Sequence, residues 1–200
     1  MKRKELREAI GARRATRSLD PVEVSDELIR RVMSDVGLSA SCFNNQPWRF
    51  VFVREREQLA KVKAALNRGN AWAQAASMIV AVLSRRDLDC VSPAAAPATA
   101  AAPANPREYY LFDSGMATAF LLLRLTEEGL VAHPIAGYDE QAAKTAIGAG
   151  ADMRVITLVI VGVRAKAISP LISPKSLPAE TERPPRRSFE EVAFFDRYPA

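Results

Sequence analysis

The run Arg154-Val155-Ile156-Thr157-Leu158-Val159-Ile160-Val161-Gly162-Val163 limits the possible folds more than any other part of the chain. It is apolar without alternation and rich in β-branched residues. That is the pattern of a strand covered on both faces, at the centre of a sheet. Such a strand needs partners. Ser77-Met78-Ile79-Val80-Ala81-Val82-Leu83 reads as a second buried strand, and Trp48-Arg49-Phe50-Val51-Phe52-Val53 as a third. Elsewhere the apolar period changes to three and four. Leu6, Ala9, Ile10 and Arg13 predict a helix over 2–14. Leu28, Ile29, Val32, Met33 and Val36 predict a second, capped by Ser25 and ended at Gly37. Residues 57–66 and 139–147 also read as helices, the latter capped by Asp139.

Residues 108–129 form the longest predicted helix, apolar nearly all round. A helix of that kind is buried on most sides, often in a subunit interface. Asp113 and Arg124 interrupt its apolar run, which argues against a membrane span. With 200 residues the chain is expected to form one domain over 1–200. Residues 91–106 are almost entirely Ala and Pro, so a flexible insertion is expected at about 85–106. Prolines at 170, 174, 178, 184 and 185 forbid a compact element after residue 165. The tail 165–200 must lie along a surface, its own or a partner's.

The net charge is +5, and much of it sits in two places: Arg13, Arg14 and Arg17, and the tail around Arg183, Arg186 and Arg187. Two such clusters can converge on one phosphate or spread along a nucleic acid. No basic stripe interleaved with aromatics is present, so nucleic acid is disfavoured. Cys42 and Cys90 are the only cysteines. They make no disulfide framework and no zinc pattern, so a reducing, cytoplasmic compartment is expected, with Cys42 a buried inert thiol. The N-terminus has charge but no apolar signal-peptide core. His133, the single histidine, precedes a proline and lacks the partners of a Ser–His or metal hydrolase. There is no Gly-x-Gly-x-x-Gly and no Walker motif, so a nicotinamide cofactor would be a diffusible substrate.

The basic opening Arg13-Arg14-Ala15-Thr16-Arg17-Ser18-Leu19-Asp20 is followed by Ser39-Ala40-Ser41-Cys42-Phe43-Asn44-Asn45-Gln46-Pro47-Trp48. The pair suggests a dianionic ligand held by arginines and a polar aromatic ring held by small polar side chains. These segments, together with Tyr110-Leu111-Phe112-Asp113-Ser114-Gly115, His133-Pro134-Ile135-Ala136-Gly137-Tyr138-Asp139 and Arg186-Arg187-Ser188-Phe189-Glu190-Glu191-Val192, resemble the nitroreductase family of FMN-dependent flavoreductases in order along nearly the whole chain.

The resemblance implies an α+β fold: a central, mostly antiparallel sheet flanked by helices, in an intertwined homodimer with two FMN sites at the interface. It matches Arg13, Arg14 and Arg17 to the FMN phosphate and ribityl chain, with Arg186 or Arg187 returning to the same phosphate. It matches Ala40, Ser41, Cys42 and Asn44 to the segment that passes over the flavin of the other subunit. Pro134, Ala136 and Gly137 match the loop whose backbone amides lie near flavin N5, and Asn70 is matched to the pyrimidine edge. The chain departs from the family pattern at Ala15, at Ala40-Ser41-Cys42 and at Ala136. The implied activity is NAD(P)H-dependent reduction of a nitroaromatic or quinone-like acceptor by a ping-pong cycle, without metal. A flavin store or sensor, and a dehalogenating or flavin-modifying member, are the alternatives.

Overall fold

The computed structural model describes residues 5–90 and 108–199. Strand β5, Arg154–Arg164, is the centre of the sheet, as its apolar run requires. Along one edge it pairs with β3, Met78–Ser84, which is buried at every position. Along its other edge it pairs with β4, Val131–Ile135, and its last residues pair with the two-residue β1, Leu19–Asp20. β2, Arg49–Val53, closes the far side on β3. Every pairing is antiparallel.

Side chains alternate across a strand, so β3 and β5 feed two cores. Ile79, Ala81, Leu158 and Ile160 point to one face, with Trp72, Leu59 and Val62. That side carries α3, Arg56–Ala64, and α5, Glu140–Ile147, which pack on each other. Met78, Val80, Val159 and Val161 point to the opposite face, with Trp48, Val32, Val36, Leu121 and Leu125. There α4, Tyr109–Glu127, packs against α2, Asp26–Val36, and α1, Leu6–Ala12. The Ser25 hydroxyl accepts from the Leu28 amide at 3.2 Å and the Asp139 carboxylate from the Ala142 amide at 2.8 Å, the two predicted caps.

Three expectations need correction. Pro134, matched to a loop, lies within strand β4. It is tolerated because among the described residues β4 pairs on one side only, with β5, and its missing N–H faces the other edge. Helix α4 is buried or half-buried on most sides, as expected, while Phe112 and Phe120 are exposed. The prolines after residue 165 do not forbid helices: α6, Pro178–Thr181, has its proline in the first turn, and α7, Phe189–Val192, follows. The insertion beyond Cys90 lies outside the described residues. What precedes it is a 3-10 turn, Arg86–Leu88, with Arg86 paired to Glu108 at 3.1 Å.

The third correction concerns the cysteines. Cys42 is not a free thiol: it is bonded to Cys90, with the Cα atoms 5.2 Å apart. The cause lies in the sheet. β2 and β3 pair antiparallel with Arg49 opposite Leu83, and Cys42 and Cys90 each lie seven residues beyond that pair. Beyond the pair both segments leave the ladder, with 3-10 turns at Cys42–Asn44 and Arg86–Leu88. Side-chain bonds bring the two loops together: the Ser84 hydroxyl donates to the Pro47 carbonyl at 2.8 Å and the Asn45 Nδ2 to the Asp89 carbonyl at 3.0 Å.

Candidate functional site

Two basic segments far apart in sequence meet in one cleft. Arg13, Arg14, Ala15 and Arg17 form one wall, and Ala179, Arg183, Pro184 and Arg186 the other, around a volume of about 220 Å³. Glu180 makes this happen. It is buried, and its carboxylate accepts from the Arg17 amide at 2.9 Å and the Ser18 amide at 2.9 Å, which pins the tail to the arginine segment. The clamp is reinforced from both sides. Arg14 donates to the Ala179 carbonyl at 2.8 Å and the Thr181 carbonyl at 3.3 Å. Arg183 donates to the carbonyls of Gly11 and Arg13 at the end of α1.

Those contacts occupy Arg14 and Arg183 with structure. The guanidinium groups of Arg13 and Arg186 have no hydrogen-bond or ion-pair partner among the described residues. Burial, then the neighbouring charges of Arg183 and Arg186, holds the Arg13 pKa below its ordinary value. Crowded cations without counter-charge are what an anion site requires before it is filled. Arg187 lies outside this cleft and faces Glu191 at 3.9 Å.

A stack of rings leads inward from the cleft. The Arg17 guanidinium lies 5.8 Å from the centre of the Trp72 ring. Trp72 stacks on His133 with centroids 4.7 Å apart and planes 22° apart. The His133 Nδ1 faces the Thr16 carbonyl at 3.1 Å. Burial is the main cause that lowers the imidazole pKa to about 4, so at neutral pH the ring is neutral and Nδ1 carries its proton. The histidine therefore ties β4 to the arginine segment, the structural role its sequence context suggested.

A pH dependence follows. The folded pKa of about 4 lies below the reference value of 6.5, so the unfolded chain binds more protons between them. This contribution to stability is complete above about pH 6.5 and is lost as pH falls through about 4. We expect the unfolding free energy to drop by up to about 3 kcal/mol over that window, and replacing His133 with Gln to flatten that part of the profile, as read by denaturant titration.

Asn70 sits in the same 3-10 segment as Trp72, Arg68–Ala75. Its Nδ2 donates to the Gly137 carbonyl at 2.8 Å, and the Asn67 amide donates there too, at 3.0 Å. Together they hold the loop after β4. The Ala136 and Gly137 amides have no backbone acceptor among the described residues. A Cβ on Gly137 would lie 2.5 Å from the Asn70 Nδ2, so only glycine allows this closeness. Gly137→Ala is expected to expel the Asn70 side chain, to lower stability by about 1 kcal/mol, and to weaken ligand binding at this loop about fivefold. Calorimetry and a binding titration would check it.

The remaining candidates form a second group. Ala40 is exposed, Ser41 and Cys42 are half-buried, and Asn44 is exposed. Phe43, Asn44 and Gln46 all have left-handed backbone, with φ of 50°, 58° and 45°. Side chains that sequence reasoning passed over hold this conformation. The buried Asp113 accepts from the Cys42 amide at 3.0 Å. Asn45 donates to the Asp89 carbonyl at 3.0 Å, and Ser41 Oγ accepts from the Gln46 amide at 3.0 Å. Among the described residues, no hydrogen bond, ion pair or ring contact joins this segment to Arg13, Asn70 or Gly137.

The chain is similar to known proteins in sequence and in fold. A curated protein of Xanthomonas oryzae pv. oryzae, provisionally named an NADH dehydrogenase/NAD(P)H nitroreductase, is 30% identical over 180 residues, 86% of each chain. Two solved structures superpose on nearly the full length. One is CLA-ER, an enone reductase of gut-bacterial fatty acid saturation metabolism, with a TM-score of 0.79 at 17% identity, covering 98% of this chain and 100% of that one. The other, from Exiguobacterium sibiricum, is provisionally named a nitroreductase and was solved in complex with FMN. Its TM-score is 0.75 at 22% identity, covering 98% and 99%. The α+β architecture is thus the nitroreductase fold. The model of the nitroreductase family matches residues 10–163, and the chain belongs to that family.

Proposed function

We propose that the protein is an FMN-dependent oxidoreductase that moves electrons from NAD(P)H to an electron-poor acceptor, a nitroaromatic or quinone, by a ping-pong scheme in a homodimer. The observation that carries this reading is the pair of unpartnered guanidiniums, Arg13 and Arg186, converging in one cleft. Bound FMN would supply the two-electron redox chemistry that the side chains lack. The residues present fit that group. Arg13, Arg17 and Arg186 offer forked donors to a phosphate. The Ala136 and Gly137 amides offer donors to a ring edge without adding a titrating group, and Asn70 fixes their loop.

Ala40, Ser41, Cys42 and Asn44 belong to a separate cluster, which suits a ring covered from the second protomer. The exposed Leu38, Phe43, Phe112 and Phe120 supply apolar surface for such a dimer. The donor is supported by the name of the Xanthomonas relative.

The test is the visible spectrum of the purified protein, followed by heat release and identification of the chromophore. Bleaching of the protein-bound flavin by NAD(P)H, release of FMN on heating, and parallel steady-state lines are expected. A colourless protein that takes up no added FMN would overturn the cofactor assignment. Intersecting lines would overturn the ping-pong scheme. FMN binding without NAD(P)H oxidation would mark a flavin carrier.

A further inference from the structure

We infer that Cys42–Cys90 is a reversible thiol–disulfide site, and that its redox state sets the order of the segment from Cys42 to Gln46. The inference rests on the proposed function only in naming that segment as a flavin-ring contact. The β2–β3 register ends at Arg49 and Leu83, so the disulfide bridges loops that the ladder no longer holds. Cys90 is exposed and Cys42 half-buried, which leaves the Cys90 sulfur open to attack.

The segment it restrains is strained. Three non-glycine residues at positive φ within four positions persist only where surrounding contacts over-determine them. Besides the disulfide, the segment is held by the Asn44 and Asn45 amides on the Ser41 and Cys42 carbonyls, by Gln46 on Ser41 and Asn44, and by the Arg49 guanidinium on the Gln46 carbonyl. Two further bonds reach distant parts of the chain, the Cys42 amide on Asp113 and Asn45 on Asp89. Cys90 directly follows Asp89, whose Oδ1 accepts from the Tyr110 amide at the start of α4 and whose carbonyl holds Asn45. The disulfide therefore ties the strained segment to the neighbour of Asp89, a residue that also holds the start of α4.

The reductant is a dithiol. Its thiolate attacks the Cys90 sulfur, and the S–S bond breaks with Cys42 leaving as thiolate. The second thiol of the reductant then displaces Cys90 and closes its own disulfide. Two electrons pass from the dithiol to the protein, and its two protons end on Cys42 and Cys90. The oxidised protein presents Ala40 to Asn44 in one fixed conformation. The reduced protein releases them while the arginine cleft, held by Glu180, stays formed.

The test compares the purified protein, the same protein treated with dithiothreitol, and the Cys90→Ser variant. Thiol counting is expected to give no free thiol before treatment and two after. Amide hydrogen exchange over 42–46 is expected to speed up at least about tenfold on reduction, with the 13–18 segment unchanged. Cys90→Ser should show the fast exchange without dithiothreitol and no further change with it. Two free thiols as purified, resistance of the native protein to dithiothreitol, or equal exchange in both states would each overturn the inference. Exchange is read with or without FMN. A protein that binds no FMN yet shows the redox-dependent exchange would therefore sink the functional reading and leave this one standing.

Discussion

Replacing Trp72 with alanine is expected to lower the unfolding free energy by about 3–5 kcal/mol and the melting temperature by about 10 °C. Trp72 is among the largest fully buried side chains and belongs to the core on the α3–α5 side. Its loss leaves a cavity that flanking strands cannot close. The damage should also reach the site, because the same ring supports His133 on one contact and Arg17 on another. FMN affinity should therefore fall even at temperatures where the variant is folded. Trp72→Phe separates the two effects. The indole Nε1 is buried without a partner, so phenylalanine removes an unpaired donor while keeping most of the packing. It should cost far less than alanine. A Trp72→Phe variant as unstable as Trp72→Ala would show that ring packing is not the source of stability here.

The second large effect is on binding. Charge-assisted hydrogen bonds contribute about 1.5–3 kcal/mol each, so Arg13→Ala combined with Arg186→Ala should raise the FMN dissociation constant by about 10²- to 10⁴-fold. The apo protein should be no less stable than before. Arg13 sits with its pKa depressed by burial and by Arg183 and Arg186, and removing it relieves that repulsion. The signature is an unchanged apo melting temperature with the FMN-induced rise abolished. Arg187→Ala, outside the cleft, is the control and should bind normally. Equal affinity of the double variant and the parent would place the phosphate elsewhere.

Much of the scaffold was legible because its signals are local. The unbroken apolar run of β5, the caps at Ser25 and Asp139, and the period of α2 each fix a conformation within a few residues. β4 was hidden because a proline inside a short segment argues against a strand, and Pro134 was matched to a loop; only the available edge of β5 makes it a strand. Helix α4 has apolar residues on every side, and composition cannot say which of them a second subunit would cover. At the site, the arginine-rich opening and the Asn-Asn-Gln-Pro segment stood out by residue type. Glu180, Trp72 and Asp113 did not, because an acid, a core aromatic and a helical aspartate are unremarkable until their partners are known.

The sequence by itself determined strands β2, β3 and β5 and helices α1 to α5, which segments carry positive charge, and which family they resemble. These follow from side-chain periodicity and from residue types at short spacing, properties that a chain expresses before it folds. The tertiary structure alone decided which distant groups meet. It brought Arg186 rather than Arg187 to Arg13, it used Glu180 as the clamp, and it joined Cys42 to Cys90. The reason is geometric. Strand register and the path of the tail are set by burial of the whole sheet, and a pairing across 48 residues leaves no trace in the residues between.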